Sequence, residues 1–356
     1  MGSQGSGIAT GAVARGSVGT RLLAVIAVVL VLDALRIARP VVLPVAAAVF
    51  VLMVAWPLEP WLERRVPRWI ALAGTFLVVL IALALFLAAL TWCVQLVVER
   101  VQSHREELEK LRRLAGSYGA RFGIELSPSA AAGDASGFLP TGLRTVYETV
   151  GFIILAIAFV ALGLGEVHDL REKVGRRLSQ RQSAELLRIA GEIATAFRRY
   201  FAAKTLTSAL TGIASGLLAL VLGLDLAVVW GFTAFLLEYV PTIGSIIAVA
   251  PPTLFALLQF DGMTRPLVTF ACFTVLQIAM GNIVDPRIEG RVLAFSPVVI
   301  LLSITLWGWL WGVAGALLGV PMTVAATIAC QHFESTRWIA DLVTGVNARA
   351  PGGDDG

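Results

Sequence analysis

The chain has 356 residues, 57% hydrophobic and 15% charged, with a mean hydropathy of +0.82. A soluble domain carries about 25% charged residues, so most of this chain must meet lipid rather than water. The formal net charge of +4 comes from 25 Arg and only 3 Lys (Lys110, Lys173 and Lys204) against 24 acids. Such an excess suits flanks that face anionic lipid and argues against a nucleic-acid groove.

Met1 to Thr20 is Gly/Ser-rich and carries Arg15 ahead of the first apolar run. It resembles the charged start of a signal peptide, but the run from Leu22 continues to Ile37 and a second apolar segment follows almost at once. The expectation is a flexible cytoplasmic N-terminus (1–20) followed by three retained membrane helices within 21–98. Their spans are Leu22 to Ile37, Val41 to Leu58 and Trp69 to Val98. A helix needs about 20 apolar residues to cross, so the third is long enough to tilt or project.

Residues 99–145 are expected outside the cytoplasm. Val97, Val101, His104, Leu108, Leu111 and Leu114 recur at helical spacing and extend the third span as an amphipathic helix. Gly116 to Gly142, rich in Gly, Ala and Ser, makes a loop. A transport region covers 146–340, with further single spans at Val146 to Leu164, Thr205 to Leu222 and Pro266 to Ile283. Between the first two lies a cytoplasmic helical link (165–204) with nine basic residues from Arg171 to Lys204. Its stripe of Leu186, Ala190, Ile193, Phe197 and Tyr200 suits a membrane face or a partner helix. The tail 341–356 is expected to be disordered.

Two apolar stretches do not fit a single crossing. Leu226 to Leu258 is broken at Pro241-Thr-Ile-Gly244, and Pro297 to Ile328 around Gly308-Trp-Leu-Trp-Gly312. Each is either two packed short spans or a re-entrant hairpin, whose irregular backbone is tolerated only against protein or a water-filled cavity. Broken apolar segments in paired positions point to a transport site. The fold class is therefore all-α, a polytopic membrane protein of about six full transmembrane helices plus two broken apolar pairs. Arg64, Arg65 and Arg68, with the basic link, place both termini in the cytoplasm.

Catalytic motifs do not emerge. No lysine follows a glycine, so no phosphate-binding P-loop exists, and there is no H-E-x-x-H pair or G-x-S-x-G elbow. Cys93, Cys272 and Cys330 lie far apart in apolar segments and read as small buried hydrophobes. His104, His168 and His332 fall in polar flanks and read as solvated. No enzyme, cofactor or metal is expected.

Ionisable groups in lipid need a reason, since insertion costs about 2.5–3.5 kcal/mol each. Glu238 precedes the first break, where Pro241 removes a donor and Gly244 permits close backbone approach. It is either a proton or cation ligand or an interfacial carboxylate. Gln277 is a candidate lining group. Asn282, Asp285, Pro286, Arg287, Glu289 and Gly290 end the sixth span, as an internal charge-paired gate or a solvated turn. Gly212-x-x-x-Gly216, Gly308-x-x-x-Gly312 and Gly315-x-x-x-Gly319 present smooth faces for helix packing. Trp307, Trp309 and Trp311 suit packing or an interfacial belt.

These residues also resemble a known family. Leu237-Glu-Tyr-Val-Pro-Thr-Ile-Gly244 with Pro251-Pro252, Asn282-Ile-Val-Asp-Pro-Arg-Ile-Glu-Gly290 with Ser296-Pro297, and the closing Trp307-Gly-Trp-Leu-Trp-Gly312 with Gly315, Gly319 and Pro321 are similar to signatures of the AI-2E transporters. Pro57-Leu-Glu-Pro-Trp-Leu-Glu-Arg-Arg-Val-Pro67 resembles the family's early loop. The resemblance implies an oligomeric inner-membrane protein, a homo-oligomer with both termini cytoplasmic. It further implies export of autoinducer-2 or sodium(lithium)/proton antiport. Its motif positions fall on Glu238, Pro241, Gly244, Asn282, Pro286 and Gly290. The reading is a secondary transporter or facilitator for a small-molecule or cation substrate, in contact with membrane lipid. A non-transporting scaffold is the rival from another class.

Overall fold

The computed structural model describes residues 22–23, 26–55, 62–103, 151–166, 176, 179–289, 295–334 and 336–344. Among these there is no strand. The expected N-terminal segment, most of the 99–145 region, the basic run at 171–175 and Gly290 lie outside the described residues.

The first two apolar runs differ from the expected pair of single spans. Helix α1 (Ile26–Ile37) and helix α2 (Arg39–Ala55) meet at an angle of 84°. Over the described residues neither helix reaches 18 residues, and together they amount to one broken span or a re-entrant element. Pro40 is the physical cause: its ring forbids a continuing helix hydrogen bond and disfavours helical geometry just before it. Helix α3 (Arg68–Ser103) is an uninterrupted 36 residues, matching the long third span. Only 11% of its most apolar stretch is buried among the described residues. Helix α4 (Gly151–Glu166) follows.

The helical link expected in the cytoplasm and the fifth span are not separate elements. Helix α5 runs without a break from Gln180 to Val221, 42 residues, or about 63 Å at 1.5 Å per residue. Ser179 starts it with a capping box shared with Gln182. No proline intervenes before Gly223, whose φ of 69° lets the chain turn out of the helix. The amphipathic stripe at Leu186–Tyr200 is thus the lower half of one rod.

The first broken pair is present as read. Helix α6 (Ala227–Leu237, 11 residues) stops at Glu238, then a short α7 (Ile243–Ala248) and α8 (Ala250–Gln259) return. Pro251 and Pro252 occupy the first turn of α8, where missing donors cost nothing. An arm of 11 residues rises only about 16 Å, half the thickness of a bilayer core. Helix α9 (Thr264–Ala279) passes into a wide π-turn (Met280–Val284) and then α10 (Asp285–Glu289), so the sixth span does not end at Ile283. The second broken pair is unequal. Helix α11 (Pro297–Trp311, 15 residues) is short, but α12 (Val313–His332, 20 residues) is long enough to cross. A last helix, α13 (Arg337–Thr344), carries order into the first residues of the expected disordered tail.

Glycines set how closely these rods approach. A Cβ on Gly231 of α6 would lie 2.7 Å from the carbonyl oxygen of Gly212 on α5, and one on Gly212 would lie 2.8 Å from that of Gly231. Backbone therefore meets backbone at the α5–α6 crossing, the packing that small residues permit in membranes. In the second pair, a Cβ on Gly315 would collide with the carbonyl of Trp307, and one on Gly319 would come within 3.1 Å of that of Ser303. Two of the tryptophans serve packing. Trp311 is buried and donates from Nε1 to the carbonyl of Leu35 at 3.3 Å, tying the second pair to α1, and Trp307 donates to Thr323 Oγ1 at 3.2 Å. Trp309 is exposed, with the Arg36 guanidinium 5.0 Å from its ring.

Candidate functional site

The turn of the first broken pair is built by its own residues. After Glu238 the chain reaches Pro241, and Thr242 adopts φ 65°, ψ −54°. The Ile243 amide donates to the Pro241 carbonyl at 2.7 Å. This is a γ-turn with positive φ, rare and strained, and more so at a β-branched residue. Gly244 then folds α7 back so tightly that any Cβ would strike the carbonyl of Leu237. Only glycine fits there.

That turn holds Glu238 inside the protein, 1% exposed, against α5. Lys204 Nζ stands 3.5 Å from Glu238 Oε1 and 3.8 Å from Asp285 Oδ2, and its side chain is 2% exposed. Ser245 Oγ donates to Glu238 Oε2 at 3.4 Å. Next to this cluster, Tyr239 donates to Thr205 Oγ1 at 3.0 Å, fastening the turn to α5.

Asp285 arrives through the π-turn. Eight residues separate it from Gln277, and in an unbroken α-helix they would diverge by roughly 80°. A π-turn absorbs one extra residue, which brings the offset to roughly −20° and both side chains onto one face. Asn282 supports the wide turn by donating its side-chain amide to the Ile278 carbonyl at 2.9 Å.

A cavity of about 680 Å³ opens beside the cluster. Lys204, Pro241, Ser245, Gln277, Asn282, Asp285 and Pro286 line it, with Phe270, Phe295 and Ile300 among the apolar walls. Both polar atoms of the Gln277 amide and Asp285 Oδ1 are buried without a hydrogen-bond partner among the described residues. Buried polar groups are ordinarily satisfied, so the site presents an open amide and an open carboxylate oxygen. With all three ionised, Lys204, Glu238 and Asp285 sum to −1. One proton or one cation neutralises the cluster.

Of the expected site residues, the structure brings together Glu238, Pro241, Gln277, Asn282, Asp285 and Pro286, while Gly244 shapes the turn behind them. Arg287 is exposed and does not line the cavity. It is Lys204, not Arg287, that pairs with Asp285. Glu289 belongs to α10, but its side chain, like Gly290, is outside the described residues. Lys204 is the residue that the sequence reading missed as a site residue, counting it only among the nine basic residues of the expected cytoplasmic link. Its signal was present: two acids embedded in apolar segments require a cation, and Lys204 directly precedes an apolar run. His332 also departs from the solvated reading, standing 3.5 Å from Glu192 with 11% of its side chain exposed.

Comparison with known proteins identifies the family. The model of the AI-2E family transporter matches residues 22–335. The AI-2 transport protein TqsA of Escherichia coli is 29% identical over 329 residues, covering 90% of this chain and 94% of TqsA. YhhT of Escherichia coli is 31% identical over 319 residues, covering 86% of this chain and 89% of YhhT. The matched span takes in the broken pairs, the lysine on α5 and the π-turn that carries Asp285, and the chain belongs to the AI-2E family of membrane transporters.

Proposed function

We propose that this transporter moves a small polar solute through the cavity beside Lys204, Gln277 and Asp285, and that the charge of the Lys204–Glu238–Asp285 cluster couples the movement to a cation or proton. One observation carries the reading: among the described residues, one lysine and two acids form a buried cluster facing a cavity with unpartnered polar atoms. The cavity falls in the size range of small-ligand sites, about 300–1,000 Å³. A solute of the autoinducer-2 kind, the cargo in the name of TqsA, fits these hydrogen-bonding groups. The setting is the inner membrane of a bacterium with both termini cytoplasmic, as the arginine flanks favour.

A second reading has its own support. The excess of acid over lysine in this cluster suits sodium(lithium)/proton antiport, in which cation and proton alternate on Glu238 and Asp285. Each charge crossing 100 mV contributes about 2.3 kcal/mol, enough for roughly a fifty-fold gradient. Purified protein in sealed vesicles, assayed for polyol, sodium and proton movement, separates the readings. Glu238→Gln makes the cluster neutral without a bound ion. It should abolish ion-driven flux while passive polyol flux persists. If ions alone move in the parent protein, the antiport reading replaces the first; if nothing moves under any gradient, both fall and a scaffold role stands.

A further inference from the structure

Helix α5 carries a second polar feature that the charge cluster does not use. Ser208, Thr211 and Ser215 follow Lys204 at steps of four, three and four, which places all four on one helix face. They span about 16 Å of helix. All three hydroxyl residues are completely buried, and none of their hydroxyls has a hydrogen-bond partner.

Among the described residues, Thr75 on α3 shares this condition, but it stands alone on its helix rather than in a row. A buried Ser or Thr on a helix ordinarily turns its hydroxyl back to the carbonyl one turn before it. Thr253, Thr269, Ser303, Thr323 and Thr327 all do so, at 2.7–2.9 Å. Thr207, next to the row, donates to the Lys204 carbonyl at 3.1 Å. The three in the row do not, although the carbonyls of α5 are equally close to hand. A row of unsatisfied hydroxyls in a dry interior is strongly disfavoured, whereas bound water satisfies two to four polar partners apiece. One helical turn further, Ala219 belongs to an apolar cluster with Trp230, Val249, Phe255 and Phe273, which leaves nothing for water to bind.

We infer that Ser208, Thr211 and Ser215 hold a file of bound water that extends the aqueous route from the Lys204 cluster along α5 and ends at the apolar seal around Ala219 and Phe273. The inference deepens the proposed transport reading and rests on it. In the state described, the route is open at the cavity and closed at the seal, and the water file supplies the path by which a proton or small ion reaches Glu238.

Cysteine accessibility to silver ion, which is close to water in size, tests this. In a background with Cys93, Cys272 and Cys330 changed to Ala, single exchanges Ser208→Cys, Thr211→Cys, Ser215→Cys, Ala219→Cys and Asn282→Cys are made in lipid nanodiscs. Silver exposure should block later maleimide labelling of the denatured chain at 208, 211, 215 and 282, and leave labelling at 219 intact. Reaction at 282 but none at 208, 211 and 215 overturns the water file and leaves the cavity reading standing. No reaction at 282 sinks the cavity itself. A high-resolution map of the unaltered protein gives an independent check on folding effects: density within hydrogen-bond distance of the three hydroxyls is expected, and its absence refutes the proposal.

Discussion

Changing Lys204 to Met tests whether the cluster is the electrostatic centre of the fold. Methionine keeps an unbranched chain of similar reach and removes only the charge. At an effective dielectric of about 20, a lysine 3.5 Å from one carboxylate and 3.8 Å from another gains about 5 and about 4 kcal/mol. Part of that attraction offsets desolvation and the repulsion between Glu238 and Asp285, and proton uptake relieves part of the rest. The net loss on removing one partner of a buried ion pair is about 3–5 kcal/mol. At about 2 °C per kcal/mol, the lower limit for larger domains, the unfolding midpoint should fall by about 6 °C or more. The assay is tryptophan fluorescence of detergent-purified protein, with every variant heated at one rate because such unfolding is commonly irreversible. Lys204→Met combined with Glu238→Gln should recover part of the loss, leaving a coupling of about 0.5–3 kcal/mol between the sites. A single variant within about 2 °C of the parent, roughly 1 kcal/mol, would refute the reasoning.

Four further substitutions probe the helix packing, the turn and the expected gate. Gly231→Ala should destabilise despite alanine's helix advantage of about 1 kcal/mol, because the new methyl meets the Gly212 carbonyl at 2.7 Å and backbone cannot step aside; Gly191→Ala, with open space around it, should be neutral or stabilising in the same melt. Thr242→Gly should raise the unfolding midpoint, since it releases a positive-φ strain of about 1–3 kcal/mol, and an unchanged or lower midpoint contradicts the strained turn. Arg287→Ala should leave stability within about 0.5 kcal/mol and ion-driven vesicle flux intact, because the side chain is exposed and does not line the cavity; loss of flux would restore Arg287 to the gate.

Much of the architecture is local and therefore legible along the chain. Lipid demands long apolar helices, so composition alone makes the protein polytopic and α-helical. The break at Pro241–Gly244 follows from the covalent limits of proline and glycine, and an acid next to it draws suspicion because burying a charge is costly. Other features depend on partners distant in the chain. Lys204 reads as one more cytoplasmic cation until α5 is seen to continue unbroken through it and to set it against Glu238, 34 residues on, and Asp285. The π-turn that rotates Asp285 onto the Gln277 face is not evident from apolar spacing along the chain, although the Asn282 side chain supports it locally. The 84° bend at Pro40 replaces two expected spans: proline licenses a kink, but its angle is set by what α1 and α2 pack against. Element type is decided within one helical turn of sequence, whereas charge pairing and helix rotation are decided by which faces meet, and only the assembled fold specifies that.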